Sequence, residues 1–283
     1  MWFSFVSPSN FWSDLVISKN SWLKILIFLV AWVIIWFPIA IPLAWRLKWN
    51  PLKNLTLSVE QKLPLIISLY LLAPLGVWEM AKLEGETLAD YGMVFNPPLF
   101  WHLGTGISLG IGILGLIFGA EGLLGWINWH GEKFPKFGTV IFPLLGLALV
   151  VGGIEELVFR GLFLNKLEQD YSREIAAILS SAIFALLHLV WERKNTLAQL
   201  PGLWLMGIVL VAARWVAGGN LGLAWGLHTG WVWAMASLDT AGLISYSGKG
   251  SPWLTGLGGQ PLAGLAGILC MVITGIILLV MSH

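Results

Sequence analysis

Residues 22–45 read WLKILIFLVAWVIIWFPIAIPLAW, an apolar run of 24 residues in which Lys24 carries the only charge. About 20 consecutive apolar residues are enough for an α-helix to cross the hydrocarbon core of a bilayer. This stretch therefore predicts a membrane-spanning helix, and the recurrence of such stretches along the chain decides the fold class.

Seven further apolar stretches follow, separated by short polar breaks. The eight stretches cover Trp22–Trp45, Leu63–Ala81, Leu103–Trp129, Gly138–Ile154, Ile175–Trp191, Leu200–Ala217, Leu221–Leu238 and Pro261–Met281. The fourth continues as a less apolar helix through Leu167, and none shows the alternation of apolar and polar residues that is typical of a membrane β-barrel. We expect an all-α, multi-pass integral membrane protein with about eight transmembrane helices in one bundle, and a single domain over residues 1–283. The segment Asp239–Gln260, rich in Gly and Ser, is expected to be an exposed loop.

The composition supports a membrane protein and argues against other classes. Hydrophobic residues make up 57% of the chain, charged residues only 11%, and the mean hydropathy is +0.81. A soluble domain carries about 25% charged residues. The net charge is +1 and no basic cluster of the kind that binds nucleic acid is present, so we expect membrane lipids and no nucleic acid among the partners.

Ionisable residues inside spanning helices cost about 2.5–3.5 kcal/mol on insertion scales, so each is a functional candidate. The conspicuous ones here are Glu79, Glu121, Glu155, Glu156, Arg160, His188, Arg214 and His228. Glu79 and Arg214 lie near the ends of their stretches, where long side chains extend to the interface, and we interpret both as structural. Glu121 has no polar neighbour in the sequence and is interpreted as a structural or interfacial carboxylate.

The segment GGIEELVFRG, residues 152–161, concentrates charge inside the fourth stretch. Glu156 and Arg160 are four residues apart, so on a helix the guanidinium can neutralise that carboxylate. Glu155 is rotated by about 100° and is free to face another partner. Adjacent carboxylates favour proton binding by one of them, as a general base requires. The alternative interpretation is a salt-bridged helix end at the interface.

Two histidines follow on later stretches. His188 ends the sequence FALLH and shares a helix face with Phe184, while His228 lies in GLAWGLHTGWVW. Gly222, Gly226 and Gly230 form a stripe that permits close helix packing. His228 points about 200° away from that stripe, so it can face something else. A lone His in an apolar helix is more often a core residue, but the ordered set of Glu-Glu/Arg, His and His favours a shared site.

These residues resemble the motifs of the CPBP family, which comprises CAAX prenyl proteases and bacteriocin-processing enzymes and is also called the ABI family. Its motifs are EExxxR, FxxxH and HxxxN or HxxxD, each on its own membrane helix. Glu155, Glu156 and Arg160 match the first motif, Phe184 and His188 the second, and His228 begins the third. The resemblance covers about residues 140–245, which we expect to be the catalytic core.

The resemblance implies an intramembrane endopeptidase that acts on a peptide or lipidated-protein substrate. By that carry-over, Glu155 is the general base, His188 helps to hold the water, and Glu156 and Arg160 support the site. His228 is the donor to the oxyanion that develops during the reaction.

Position 232, where the family has Asn or Asp, is Val232 in this sequence. Valine cannot donate a hydrogen bond, and the loss of one oxyanion donor reduces a rate by about 100- to 1000-fold. The alternative is therefore a catalytically weak or inactive member that serves as a membrane scaffold or immunity protein. A transporter would predict paired inverted halves, and the sequence shows no such symmetry.

Zinc is compatible with the candidate residues but is not required by them. Three protein ligands and one open position are usual for catalytic zinc, and Glu155, His188 and His228 are the candidate ligands. The sequence lacks HExxH. Water activation by Glu155 and His188 without a metal fits equally well, and no other cofactor is expected.

Overall fold

The computed structural model describes residues 20–50, 57–190 and 193–282. Their α-helices are, in chain order, α1 (Ser21–Arg46), α2 (Val59–Glu84), α3 (Pro97–Leu123), α4 (Phe134–Glu156), α5 (Leu164–Asp170), α6 (Arg173–Leu187), α7 (Arg193–Thr196), α8 (Leu200–Val216), α9 (Gly222–Ala241), α10 (Pro252–Thr255) and α11 (Leu265–Met281). Eight of these helices have 15 residues or more.

Six helical segments of the described chain are long and apolar enough to cross a membrane. They are Ser21–Arg46, Glu60–Glu84, Pro97–Leu123, Gly131–Asp170, Arg173–Val190 and Arg193–Val216. Helix α11 is apolar but shorter, and α9 lies in the interior, packed mainly against α3 and α4. The chain is thus an all-α, multi-pass integral membrane protein, as the sequence predicted, and the predicted count of about eight helices is approximate.

Two predictions, the end of the third stretch and the exposed loop Asp239–Gln260, are wrong because these two parts of the chain pair with each other. The third stretch was expected to continue as helix to Trp129, but α3 ends at Leu123 and Gly125 adopts φ +69°. Strand β1 (Ile127–Trp129) then pairs antiparallel with β2 (Ile244–Tyr246). Because backbone pairing and α10 order it, the segment Asp239–Gln260 is not a simple exposed loop. The predicted end of the fifth stretch, Trp191, lies outside the described residues.

Helix α4 continues through a π-helical segment, Leu157–Phe163, into α5. The predicted continuation through Leu167 is therefore confirmed, with a local geometry that the sequence pattern does not indicate. Short π-helical segments occur within α-helices, frequently at functional sites. Here the segment carries Arg160 and follows directly on Glu155 and Glu156.

The glycine stripe of α9 packs closely on a neighbouring helix, as the sequence predicted, and that helix is α3. A Cβ atom on Gly226 would lie 2.2 Å from the carbonyl oxygen of Leu103, and one on Gly106 would lie 2.5 Å from the carbonyl oxygen of Leu223. Only glycine at these positions permits the backbones of the two helices to approach this closely. The opposite face of α9 is thereby turned toward α4.

A buried charged cluster ties α1, α2 and α5 together at one end of the bundle. The Nζ atoms of Lys24 and Lys166 lie 2.9 and 2.8 Å from Oε2 of Glu84. Lys24 belongs to the first turn of α1, so the only charge of the first apolar run stands at the end of its helix. This cluster holds α1 and α2 against α5.

Candidate functional site

The site is built around the two carboxylates that end α4. Glu156 is fully buried, and its Oε1 lies 3.0 Å from Nη1 of Arg160 and 2.8 Å from Nδ1 of His228. A carboxylate oxygen only accepts, so Nδ1 of His228 carries the hydrogen of this bond when Glu156 is ionised. One oxygen atom thus holds both a guanidinium and an imidazole in place.

Arg160 is enclosed on every side. Its Nη2 lies 3.4 Å from the carbonyl oxygen of Gly207, and its Cζ lies 4.2 Å from the centre of the Phe184 ring. Arg214 donates to the carbonyl oxygen of Arg160 and is only 7% exposed. The interpretation of Arg214 as a side chain that extends to the interface is therefore wrong, because the backbone carbonyls of Arg160 and Gly219 draw it inward.

Glu155 shares His228 with Glu156 and adds a partner of its own, as its rotation along the helix allows. Its Oε1 accepts a hydrogen bond from the hydroxyl of Tyr70, which belongs to α2. Its Oε2 lies 3.5 Å from Nε2 of His228 and has no hydrogen-bond partner among the described residues. Glu155 therefore keeps one buried carboxylate oxygen that no described protein group hydrogen-bonds.

His188 follows the last residue of α6, and its Nδ1 lies 2.7 Å from the carbonyl oxygen of Phe184. A carbonyl oxygen only accepts, so Nδ1 carries the hydrogen and Nε2 of a neutral His188 is an acceptor. The Phe184 ring lies 4.5 Å from the His188 ring and 6.0 Å from the His228 ring, edge to face in both pairs. Phe184 thus separates and orients the two imidazoles.

Glu155 and His188 line one cavity of about 410 Å³. Its wall is mainly apolar and includes Leu29, Trp32, Ile66, Leu69, Val151 and Val158. The polar residues that line it are Lys62, Tyr70, Glu155, His188 and Thr196. No hydrogen bond found within the described chain joins His188 to Glu155, so the two side chains border the same space separately.

Two glycines allow α9 to reach the carboxylates. A Cβ atom on Gly153 would lie 2.8 Å from the Trp225 ring, and one on Gly152 would lie 3.0 Å from Oγ1 of Thr229. Trp225 is itself held by a 2.8 Å hydrogen bond from Nε1 to the carbonyl oxygen of Leu149. Gly152 and Gly153, each three residues before one of the two carboxylates, are therefore small because α9 packs directly on them.

The structure brings Glu155, Glu156, Arg160 and His228 into contact and places His188 on the cavity beside them. Tyr70 was missed, because a tyrosine within an apolar stretch carries no formal charge. Its position near the middle of Leu63–Ala81 was the available signal, since a phenol hydroxyl inside a membrane needs a partner.

The remaining ionisable candidates lie outside this group. The side chain of Glu79 is 56% exposed and lies 3.6 Å from Lys82, as expected for an interfacial residue. Glu121 is buried, and neither carboxylate oxygen has a hydrogen-bond partner in the part of the chain that is described.

Val232 lies one turn beyond His228 and lines a second, largely apolar cavity of about 230 Å³. Trp231, Met206 and Cys270 also line it, together with Gln199 and Gln260. The side-chain amides that line this cavity together with Val232 therefore come from other parts of the chain.

The residues as placed do not fit a metal centre. Over residues 20–50, 57–190 and 193–282, no group of three or more His, Cys, Asp or Glu side chains is arranged to hold a metal ion. Nδ1 of His228 is bonded to Glu156 and Nδ1 of His188 to a carbonyl oxygen, which leaves the Nε2 atom of each ring open. Zinc at Glu155, His188 and His228 stays a prediction, because these side chains are not grouped to hold a metal ion within the described residues.

The fold and the buried site define a multi-pass membrane protein with ionisable groups assembled in its interior. Residues 137–234 match the family model described as Type II CAAX prenyl endopeptidase Rce1-like, so this part of the chain is an Rce1-like domain. The resemblance to the CPBP family is thereby confirmed for this segment. No curated protein and no solved structure matches the chain.

Proposed function

We propose that the protein is an intramembrane endopeptidase that hydrolyses a peptide bond with water activated by Glu155 and His188. The observation that carries this proposal is that both residues line the same apolar cavity, each with an acceptor atom left unbonded by the described protein groups. The Rce1-like domain belongs to a family of proteases, which supports the same class of reaction.

The reaction begins with one water molecule that donates to the Glu155 carboxylate and to Nε2 of His188. The Glu155 carboxylate takes a proton as the water oxygen bonds to the substrate carbonyl carbon, and the carbonyl oxygen becomes an oxyanion. The carbon–nitrogen bond then breaks as protonated Glu155 returns the proton to the leaving amine. General acid–base catalysis of this kind contributes about 100- to 10,000-fold.

Glu156, Arg160 and His228 support this chemistry through charge. The guanidinium of Arg160 pairs with Glu156, and the buried guanidinium of Arg214 lies against the carbonyl oxygen of Arg160, so two cations stand near the two carboxylates. Paired buried charges avoid the high free energy of an uncompensated one. A hydrogen on Nε2 of His228, next to Glu155, would be the donor that stabilises the oxyanion.

The proposed substrate is a peptide or a lipidated protein segment. Most of the residues that line the cavity are apolar, so it accommodates an apolar chain beside the carboxylate and the imidazole. The description of the matching family adds a prenylated C-terminus as one candidate, and an unmodified transmembrane peptide is the other.

The test uses the full chain in vesicles and fluorogenic peptides, one farnesylated near its C-terminus and one unmodified. Glu155→Gln and His188→Ala are each expected to reduce kcat/KM by at least about 100-fold. Glu79→Gln is the matched control, because it removes an exposed carboxylate from a neighbouring helix. Equal rates for the parent and Glu155→Gln would overturn the proposal.

A second candidate function, a scaffold without hydrolytic activity, is favoured by one observation, the apolar surroundings of Val232. It predicts no cleavage by the parent chain, and cleavage by Val232→Asn where the new amide turns from this cavity toward His228 and supplies an oxyanion donor. Val232→Leu is the control, since it changes the shape of the residue without adding a donor. Cleavage by the parent chain that depends on Glu155 would exclude this candidate.

A further inference from the structure

We infer that Tyr70 is a positioning residue for Glu155 and that α2, which lies outside the Rce1-like segment, thereby completes the site. The inference rests on the proposed function, because positioning matters only if Glu155 acts as the base. Tyr70 belongs to residues 59–84, whereas the family match covers residues 137–234.

The first observation is the hydrogen bond itself. The Tyr70 hydroxyl donates to Oε1 of Glu155, and no other described side chain donates to that oxygen. Hydrogen bonds to an ionised carboxylate are stronger than bonds between neutral groups, and a low-dielectric interior strengthens them further. The bond therefore restricts rotation of the carboxylate.

The second observation concerns the other carboxylate oxygen. With Oε1 engaged by Tyr70, Oε2 has no hydrogen-bond partner among the described residues and lies 3.5 Å from Nε2 of His228. The bond from Tyr70 thus fixes which carboxylate oxygen faces His228. Without it, the carboxylate can rotate and either oxygen can turn toward His228 or the cavity.

The third observation is that α1 holds Tyr70 in place. The ring of Trp32 lies 6.4 Å from the Tyr70 ring at an interplanar angle of 56°, and its Nε1 donates to the carbonyl oxygen of Leu69 at 2.8 Å. One turn along α1, Nε1 of Trp36 donates to Oγ of Ser68 at 3.0 Å. Two indole donors on α1 therefore fix the turn of α2 that carries Tyr70.

Tyr70 also differs from a tyrosine that only fills a core. Its ring lines the same cavity as Glu155 and His188, and its one hydrogen bond within the described chain goes to Glu155. Tyr171, by contrast, accepts a hydrogen bond from Nε1 of Trp22 at the surface, away from the cavity. Tyr171→Phe is therefore a matched control for Tyr70→Phe.

The experiment measures kcat and KM for the full chain in vesicles with the better of the two fluorogenic peptides. Tyr70→Phe keeps the ring and removes only the hydroxyl, so kcat is expected to fall about 10- to 100-fold while KM changes less than about threefold. Tyr171→Phe is expected to leave both constants unchanged. A variant that merely loosened the fold would lower the active fraction and the melting temperature together.

The outcomes separate this inference from the proposed function. Parental kcat in Tyr70→Phe, in a chain that Glu155→Gln inactivates, overturns the role of Tyr70 alone. Equal activity of the parent and Glu155→Gln overturns the proposed function and the role of Tyr70 with it.

A thermal double-mutant cycle of Tyr70→Phe and Glu155→Gln needs no substrate. The two Tm shifts are expected to be non-additive, because both variants alter one hydrogen bond. Additive shifts would show that the bond does not couple the two residues and would overturn the inference whatever the activity.

Discussion

Nδ1 of His228 lies 2.8 Å from Oε1 of Glu156, and this contact joins the central helix α9 to the end of α4. The same oxygen receives Nη1 of Arg160 at 3.0 Å. Both partners of Glu156 are buried, so the carboxylate cannot exchange either of them for bulk water. Glu156 therefore organises the cluster, while Glu155 is the carboxylate to which we assign the role of base in the proposed reaction.

Glu156→Gln is expected to destabilise the protein by about 3–5 kcal/mol, because it leaves the buried guanidinium of Arg160 without its counter-ion. The measurement is unfolding in detergent, followed by the loss of helical circular dichroism. Glu79→Gln is the control, since an exposed pair of this kind contributes about 1 kcal/mol or less. Equal stability of the two variants would show that Arg160 does not depend on Glu156.

The apolar runs alone were sufficient to predict the fold class, because a helix that crosses a bilayer needs a long apolar sequence. The spacing of Glu156 and Arg160 predicted their ion pair, and the glycine stripe of α9 predicted which face His228 would present. These predictions succeeded because each depends only on helix geometry within one element.

The predictions that failed depend on contacts between distant elements. Arg214 looked interfacial because it stands near the end of its stretch, yet a carbonyl oxygen of the π-helical segment holds it inside. The pairing of β1 with β2 joins residues more than 100 positions apart. Tyr70 was not predicted for the same reason, because its role follows from the packing of α2 against α4 and not from its own neighbours in sequence.

Phe184→Leu is expected to destabilise the cluster by about 2 kcal/mol, because the ring lies 4.2 Å from the Arg160 guanidinium in a desolvated site. We expect kcat to fall by more than the loss of stability alone would explain, because the ring also orients His188. Thermal unfolding and kcat measured on the same samples separate the two effects. Phe142→Leu, at a position that is 76% exposed, is the control. A Phe184→Leu variant with parental stability and kcat would contradict both expectations.

Asp90 gives a pH-dependent prediction outside the membrane. The backbone N–H and the hydroxyl of Thr87 donate to its carboxylate at 2.7 and 2.8 Å, and these bonds lower the pKa of Asp90 from its ordinary value of 3.8. The folded pKa lies below the unfolded one, so the stabilisation is present above the unfolded pKa and is lost as pH falls through the folded pKa.

The difference in Tm between the parent and Asp90→Ala is therefore expected to be constant near neutral pH and to shrink below about pH 4. Asp239→Ala is the control, because that exposed side chain makes no hydrogen bond among the described residues. A Tm difference for Asp90→Ala that stays the same down to about pH 2 would rule out this contribution.

Gly153→Ala tests whether close packing of α9 on α4 sets the geometry of the site. The new Cβ would lie 2.8 Å from the Trp225 ring, which is fixed to the carbonyl oxygen of Leu149. The helices must separate, and we expect destabilisation of about 1–3 kcal/mol together with a loss of kcat as His228 moves away from Glu156.

Gly146→Ala, on the same helix with open space around it, is the matched control. Its stability is expected to stay the same or to rise by up to about 1 kcal/mol, because alanine favours helix more than glycine does. The smaller ring of Trp225→Phe is expected to restore part of the activity in the Gly153→Ala background, since it removes the atoms that the new methyl group meets. Unchanged kcat in Gly153→Ala would mean that the contact between His228 and Glu156 tolerates separation of the two helices, and that packing at Gly153 does not control the site.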